Sequence, residues 1–365
     1  MRQSRIGRWF HCIALGAALL ASAACGGNDG GEEGAAGSIA TSASSVNATT
    51  STGGAGGSAG AGVEGGNGGG GSGGGDAGGA DAQDSGPLEA GADGIACGAA
   101  PHPDEPWITT YQQDIVARLS GYSEIAPGTR LVNRATMPNR AGARQYLAKL
   151  LTDLGMIVLE QNYGTGINVY AELRSTSGAR QYVVIGAHFD SVLQSPGAND
   201  NATGVAAVLT VARYLANVPC RSRHFFFVLF DEEERGLVGS KNFATKLRTD
   251  GVSVHSVHTI DQMGWDQNDD RLIELELPDM GLAELYQTAV AELGVSLPIR
   301  ITKTGSTDHS SFRPAFLATG VTEGYVSGDT APYYHTAGDT YETVKFAYLK
   351  ATTVLIDRVM VDLSR

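Results

Sequence analysis

Apolar and polar residues follow two periodicities along residues 97–365, one typical of helices and one typical of strands. Helical spacing predicts α-helices over 105–119, 140–154, 201–218, 237–248, 280–293 and 341–363. Alternating or short, uniformly apolar runs predict strands over 156–160, 167–173, 181–187, 225–230, 254–260, 271–277 and 316–321. This alternation predicts an α/β fold in which helices cover a sheet. The run 225–230 is apolar at every position, as expected for a central strand that is covered on both faces.

The segment 26–96 has neither periodicity. It contains 26 of the 50 glycines, nine acidic residues, no basic residue and almost no aromatic or large aliphatic side chain. Such a segment cannot bury enough apolar surface to offset the conformational entropy of its chain. We therefore expect a disordered, acidic, glycine-rich linker ahead of the folded domain.

The N-terminus has the pattern of an export signal. Arg2, Arg5 and Arg8 precede an apolar stretch that ends in small residues and is too short to span a bilayer. Cys25 follows those small residues, as in the lipobox of bacterial lipoproteins, although Ser22 stands where that motif usually has leucine. We predict a signal peptide over 1–24, a lipid anchor at Cys25 and a linker to residue 96. Plain secretion after cleavage of the signal is the alternative.

The remaining cysteines predict one disulfide. If Cys12 leaves with the signal peptide and Cys25 is lipidated, Cys97 and Cys220 remain. An even pair in an exported protein favours a disulfide, and two free thiols are the alternative.

The charge of the folded region limits its partners. Residues 97–365 carry a net charge of −7 and no run rich in Lys or Arg. Nucleic acid is therefore excluded as the main partner, because phosphate binding needs clustered cations. We expect contact with a membrane only through the anchor.

Side chains that bind metals follow three of the predicted strands. His188 and Asp190 follow one strand, the acidic run 231–234 follows the next, and Asp261 follows a third. Ligands gather at the carboxyl ends of strands in α/β sheets, so these side chains are expected to meet. Asp200 lies in a small polar loop between the first two, and His335 lies in a loop near the C-terminus. Imidazole and carboxylate groups together suit zinc.

The order and spacing of these segments resemble the co-catalytic zinc aminopeptidase family. That family includes secreted bacterial leucine aminopeptidases, glutamate carboxypeptidases, glutaminyl cyclases and the non-catalytic transferrin receptor ectodomain. The segments that carry the resemblance are GAHFDS (186–191), GANDNATG (197–204), EERGLVGS (233–240), IDQMG (260–264), TDHSSF (307–312) and YHT (334–336) with Asp339 and Thr340. The resemblance implies a mixed, largely parallel central sheet between helices, and a single, monomeric metallopeptidase domain over 97–365.

The resemblance also implies roles for single residues in this chain. It implies two zinc ions bridged by Asp200, with ligands His188, Asp261, Glu234 and His335. Glu233 is implied as the general base, Asp190 as the residue that orients His188, and Tyr334 as a hydrogen-bond donor to the developing oxyanion or a packing residue. Asp308 and His309 are expected close to the site.

Two points remain open in the sequence. The extra acid Glu232 allows a second register, in which Glu232 and Glu233 take the roles of base and ligand. The motif 236–240 favours Glu233 as base and Glu234 as ligand.

An exported aminopeptidase acting on peptides is the leading prediction; a glutaminyl cyclase, a carboxypeptidase or dipeptidase, and a non-catalytic binding module are the alternatives. Glutaminyl cyclases usually have tryptophan where this chain has Tyr334.

Overall fold

The fold is known from a computed structural model that describes residue 100 and residues 102–365. These residues belong to one unit of the chain, Gln83–Arg365. The predicted signal peptide, Cys25, the glycine-rich linker and Cys97 lie outside the described residues, and Cys220 lies inside them. The disulfide between Cys97 and Cys220 therefore stays a prediction. None of the helices in the described part is long and apolar enough to cross a membrane.

Helices and strands alternate through the described residues. The α-helices are α1 (Ile108–Leu119), α2 (Met137–Asp153), α3 (Gly204–Ala216), α4 (Val238–Thr249), α5 (Leu282–Leu293) and α6 (Phe346–Leu363). The strands are β1 (Ile157–Asn162), β2 (Ile167–Leu173), β3 (Tyr182–His188), β4 (His224–Phe230), β5 (Val254–Asp261), β6 (Ile273–Glu276), β7 (Ile299–Thr302) and β8 (Ala318–Thr322). Each predicted helix and strand is present, with bounds that differ by a few residues.

All eight strands form one mixed sheet in the order β1-β2-β4-β3-β5-β8-β6-β7. Its centre is parallel, since β3 pairs in parallel with β4 and β5, and β5 with β8. The pairs β1–β2, β2–β4 and β6–β8 are antiparallel. The predicted mixed, largely parallel sheet is confirmed.

Helices cover both faces of this sheet. Val183 and Ile185 of β3 pack in the larger apolar cluster, which takes in side chains of α1, α3, α5 and α6. Val184 faces the other way, into a smaller cluster with Phe243 of α4. Because β4 also lies in the interior of the sheet, apolar residues suit both of its faces, which explains the uniform run predicted as a central strand.

Two differences from the predicted elements have a physical cause. Helix α6 begins at Phe346 rather than near 341, because Val344 is extended and the N–H of Lys345 donates to the carbonyl of Gly264. The helical spacing of apolar residues begins at 341, but this contact with another part of the fold delays the start of the helix.

Strand β7 was not predicted. It is four residues long, lies at the sheet edge and exposes about half of Ile301, so its apolar pattern is weak.

The sheet brings the candidate residues to one edge. Strands β3 and β5 end at His188 and Asp261, and β4 ends one residue before Asp231. Because these neighbouring strands are parallel, their carboxyl ends open at the same edge.

Candidate metal centre

His188, Asp200 and Asp261 form a compact group of possible metal ligands. Nε2 of His188 lies 3.3 Å from Oδ1 of Asp200 and 3.4 Å from Oδ1 of Asp261. All three side chains are buried. The ends of β3 and β5 and the loop after β3 therefore converge on one point.

A second group shares Asp200 and adds Glu234 and His335. Nε2 of His335 lies 3.2 Å from Oδ2 of Asp200 and 2.9 Å from Oε2 of Glu234. Asp200 thus directs one carboxylate oxygen to each group. The structure brings together all five residues that the sequence predicts as ligands.

The two groups fit zinc in three ways: the type of their ligand atoms, the distances between those atoms, and the buried oxygens that a bound ion would pair with. Ligand atoms around a tetrahedral zinc, with bonds of about 2.0–2.1 Å, lie about 3.3 Å apart, close to three of the four distances above. Buried oxygens of Asp261 and Glu234 have no hydrogen-bond partner among the residues that the structure describes. Burying a carboxylate without a partner destabilises the fold, and a bound cation would provide that partner.

The loop that presents Asp200 is fixed by a buried carboxylate near the C-terminus. This loop, Ala198–Thr203, leads into α3; the backbone of Asp200 and Asn201 is not helical, and the peptide bond between them is cis. Asp339 accepts hydrogen bonds from the backbone N–H groups of Asn199 at 2.7 Å and Asp200 at 3.1 Å. The backbone of Asp200 is therefore held from outside its own loop.

Arg134 supports the same region and was not identified from the sequence. Its fully buried guanidinium donates to the carbonyls of Phe189 at 2.6 Å, Pro196 at 2.6 Å and Gly197 at 2.7 Å. These carbonyls belong to the segment between His188 and Asp200. No local motif marks Arg134, because these three carbonyls lie 55 to 63 positions further along the chain.

The turn after β4 gives three consecutive glutamates different surroundings. Glu232 has a left-handed backbone (φ 61°) and pairs with Nη2 of Arg140 at 3.0 Å, away from the two ligand groups. Asp190 accepts the backbone N–H groups of Glu233 at 3.0 Å and Glu234 at 3.2 Å. Only Glu234 of the three belongs to a ligand group.

Asp190 also lies beside His188. Its Oδ1 is 3.4 Å from Nδ1 of His188, on the ring edge opposite Asp200. A carboxylate in this place favours the tautomer that leaves Nε2 free to bind a metal.

Burial and neighbouring charges shift the pKa values of the carboxyl groups in the site. Burial raises the pKa of Glu233 to about 10, although His188 lowers it, and Asp308 and Asp261 raise it further. Burial likewise raises the pKa of Glu234 to about 8, with Asp200 adding to the rise. Cations placed among these carboxyls favour the ionised forms, so the site is suited to hold positive charge.

The other predicted site residues occupy distinct places. The ring of Tyr334 stacks on His335, with centroids 3.8 Å apart. Asp308 is buried, and burial raises its pKa to about 7 against the effect of His188. His309 belongs to neither ligand group, and its Nδ1 lies 2.9 Å from Oγ1 of Thr307.

A cavity of about 60 Å³ opens beside the two groups. Asp200, Glu233, Asp261 and Tyr334 line it on the metal-ligand side, and Glu276 lies among the residues on the other walls. A small molecule in this cavity would therefore contact both Glu233 and the candidate ligands.

Curated relatives carry names that describe peptidases. The chain is 31% identical over 171 residues to Aminopeptidase YwaD of Bacillus subtilis, a match that covers 44% of the chain and 36% of that protein. It is 45% identical over 85 residues to Probable lipoprotein aminopeptidase LpqL of Mycobacterium tuberculosis, covering 23% and 17%. The chain thus spans about a third and about a sixth of the lengths of these relatives.

Solved structures share the fold. The LapA aminopeptidase of Legionella pneumophila has a TM-score of 0.61 at 18% identity, covering 74% of this chain and 78% of that one. BSAP, a zinc aminopeptidase from Bacillus subtilis, has a TM-score of 0.50 at 26% identity, covering 54% and 50%. A glutaminyl cyclase of Porphyromonas gingivalis has a TM-score of 0.58 at 19% identity, covering 70% and 98%.

The candidate site lies within a stretch that matches a known family. Residues 168–360, more than half of the chain, match peptidase family M28. This stretch contains all five candidate ligands together with Glu233 and Tyr334. The match confirms the resemblance found in the sequence motifs, and the chain belongs to peptidase family M28.

Proposed function

We propose that this protein is a zinc-dependent aminopeptidase that releases N-terminal residues from peptides. The observation that carries the proposal is the pair of ligand groups sharing Asp200, which offers places for two ions side by side. Membership of a peptidase family and relatives named as aminopeptidases support the reaction class.

In this proposal His188 and Asp261 complete one zinc site and Glu234 and His335 the other, with Asp200 between them. Bound zinc ions lower the pKa of an attacking water and polarise the scissile carbonyl. The position of Glu232 against Arg140 supports Glu234, rather than Glu233, as the ligand in the turn.

Glu233 is the proposed general base. It lines the cavity without belonging to a ligand group, and its Oε2 lies 4.0 Å from Nε2 of His188. In this position it takes a proton from the attacking water and returns it to the leaving amine. We also assign to Tyr334, which lines the cavity, the donation of a hydrogen bond to the developing oxyanion.

Among the alternatives, two complete ligand groups favour a two-metal hydrolase over a glutaminyl cyclase, which uses one zinc. The glutaminyl cyclase neighbour shares the fold, so its similarity does not separate the two reactions. A non-catalytic binding module would have no need of Glu233 beside the ligands.

We also propose that the chain is exported and anchored through Cys25. The basic, apolar and small-residue segments of positions 1–25 support export, and a relative named as a probable lipoprotein supports the anchor. Mass analysis of the mature N-terminus tests this: a diacylated or triacylated Cys25 is expected, and an unmodified cysteine at that position contradicts it.

The decisive experiment combines metal counting with hydrolysis of aminoacyl anilides. The purified chain is expected to bind two zinc ions and hydrolyse the anilides, whereas Glu233→Ala retains zinc and loses at least ~100-fold in kcat. His335→Ala is expected to lower the zinc content, because it removes a ligand from one group only.

Glu342→Gln, an exposed acid on the turn before α6, is the matched control and leaves both values unchanged. Cleavage of N-terminally blocked peptides, with no release from free N-termini, would contradict the aminopeptidase assignment. Full activity in Glu233→Ala would contradict the role of Glu233.

A further inference from the structure

Glu276 is a buried carboxylate in the cavity beside the candidate zinc site. It ends β6, is only 2% exposed and lines the same cavity as Glu233 and Asp261. It belongs to neither ligand group. The proposed mechanism therefore leaves this acid without a role.

No cationic side chain among the described residues pairs with Glu276. Its one ion-pair neighbour there is His309, whose Nδ1 lies 3.6 Å from Oε2. Burial lowers the pKa of His309 to about 4, so this ring is neutral near pH 7. Thr307 donates its hydroxyl to Oε2 of Glu276 at 3.0 Å. A neutral hydrogen bond orients the carboxylate without neutralising its charge.

Two glycines make room for this arrangement. A Cβ atom on Gly305 would lie 2.8 Å from Cβ of Glu276, and one on Gly320 would lie 2.9 Å from its Oε2. The Gly320 Cβ would also lie 2.8 Å from Nδ1 of His309. Larger residues at either position would displace Glu276, so the backbone around it is shaped to the carboxylate.

The rest of the cavity suits a slender side chain with a polar end. Four other lining residues carry a hydroxyl group: Ser306, Thr307, Thr322 and Tyr325. A long side chain can bury its aliphatic stem while its charged end reaches a carboxylate. At about 60 Å³ the cavity is small.

On these observations we propose that Glu276 selects peptides whose first residue carries a cationic side chain, lysine above all. The proposal rests on the proposed aminopeptidase function and names its substrate class. The scissile bond lies at the zinc site while the ammonium group of the side chain reaches Glu276. Such a charge-assisted hydrogen bond in a buried site discriminates strongly against a neutral analogue.

The test compares lysyl and norleucyl anilides on the full, zinc-loaded protein. Norleucine has the same unbranched carbon chain and the same α-amino group, but no charge at its end. The wild type is expected to favour the lysyl substrate at least ~10-fold in kcat/KM, and Glu276→Gln to lose that preference. Free L-lysine should likewise inhibit the wild type more strongly than L-norleucine, and equally in the variant.

Glu274→Gln is the matched control. Glu274 lies two residues earlier on the same face of β6, is fully buried and accepts the N–H of Val326 at 2.7 Å, but it does not line the cavity. We expect this variant to keep the lysyl preference.

Separate outcomes overturn the two proposals. A wild type that hydrolyses the norleucyl substrate at least as well as the lysyl one overturns the role of Glu276 and leaves the aminopeptidase function standing. An equal loss on both substrates in Glu276→Gln also overturns it, because a contact to the shared α-amino group or a structural role would have that effect. No hydrolysis of either substrate overturns the proposed function and this inference together.

Discussion

Glu232, Glu233 and Glu234 are the same residue type in three environments. The left-handed backbone at Glu232 turns its side chain to Arg140, and Asp190 fixes the N–H groups of the next two residues. One carboxylate therefore stabilises the fold, one faces the cavity and one joins a ligand group. At this turn, neighbours rather than residue type determine the chemistry.

The pKa of Glu276 predicts a pH-dependent substrate preference. Burial raises this pKa to about 7 against the hydrogen bond from Thr307, and Asp261 and Glu274 add to the rise. His309, with its pKa lowered to about 4, stays neutral across this range. Zinc ions bound beside it would offset part of this rise. In the zinc-loaded protein Glu276 therefore loses its charge, and with it the attraction for an ammonium group, as the pH falls below about 7.

The ratio of kcat/KM for lysyl over norleucyl anilide should thus fall steadily as the pH is lowered below about 7, because kcat/KM reports the free enzyme. Losses common to both substrates, such as weaker zinc binding in acid, cancel in this ratio. In Glu276→Gln the ratio should be flat with pH. A ratio that rises on acidification would contradict the assignment.

At the scale of strands and helices, the sequence identified where chemistry would gather but not every residue that contributes. The ends of β3, β4 and β5 were predictable because their apolar runs stop at His188, Asp231 and Asp261. Parallel neighbours then place these ends together. The local pattern therefore contains enough information to find the candidate ligands.

Glu276 was not predictable by the same means. Strand β6 alternates Ile273 and Leu275 with Glu274 and Glu276, a pattern that usually indicates one face in solvent. Here all four residues are buried, because the sheet is covered on both faces. The polar face of β6 therefore lies inside the molecule, which only the tertiary structure reveals.

Helix α2 supports the glutamate turn through two buried ion pairs made by Arg140. Nε of Arg140 lies 2.8 Å from Oδ1 of Asp231, and its Nη2 lies 3.0 Å from Oε1 of Glu232. All three side chains are at most 4% exposed. Arg140→Met leaves the buried carboxylate of Asp231 without its cation and Glu232 with Arg235 alone, so we expect the free energy of unfolding to fall by about 3 kcal/mol.

Urea denaturation measures this loss, and Arg144→Met is its control. Arg144 lies one turn further along α2 and pairs with Glu160, whose side chain is 51% exposed. Exposed pairs contribute about 1 kcal/mol or less, so the control should change stability little. Equal effects of the two variants would show that the buried pairs add nothing to the stability of the turn.

At the scale of the whole molecule, the candidate ligands join segments that are distant in sequence. They come from the ends of β3 and β5, the turn before α3, the turn after β4 and the loop that holds His335. Bound zinc would therefore connect most of the carboxyl edge of the sheet. Without it, buried carboxylates at that edge face one another, and the pKa values of Glu233 and Glu234 are raised.

Removal of zinc should consequently lower the melting temperature of the chain. Free zinc at about 100 times its Kd stabilises a folded protein by about 2.7 kcal/mol, which corresponds to about 5–10 °C in Tm for a domain of roughly this size. Calorimetry with and without a chelator measures the shift independently of catalysis. Asp200→Ala should abolish it, because Asp200 belongs to both ligand groups. A wild type with the same Tm in chelator and in zinc would contradict a metal site in which these strands and loops meet.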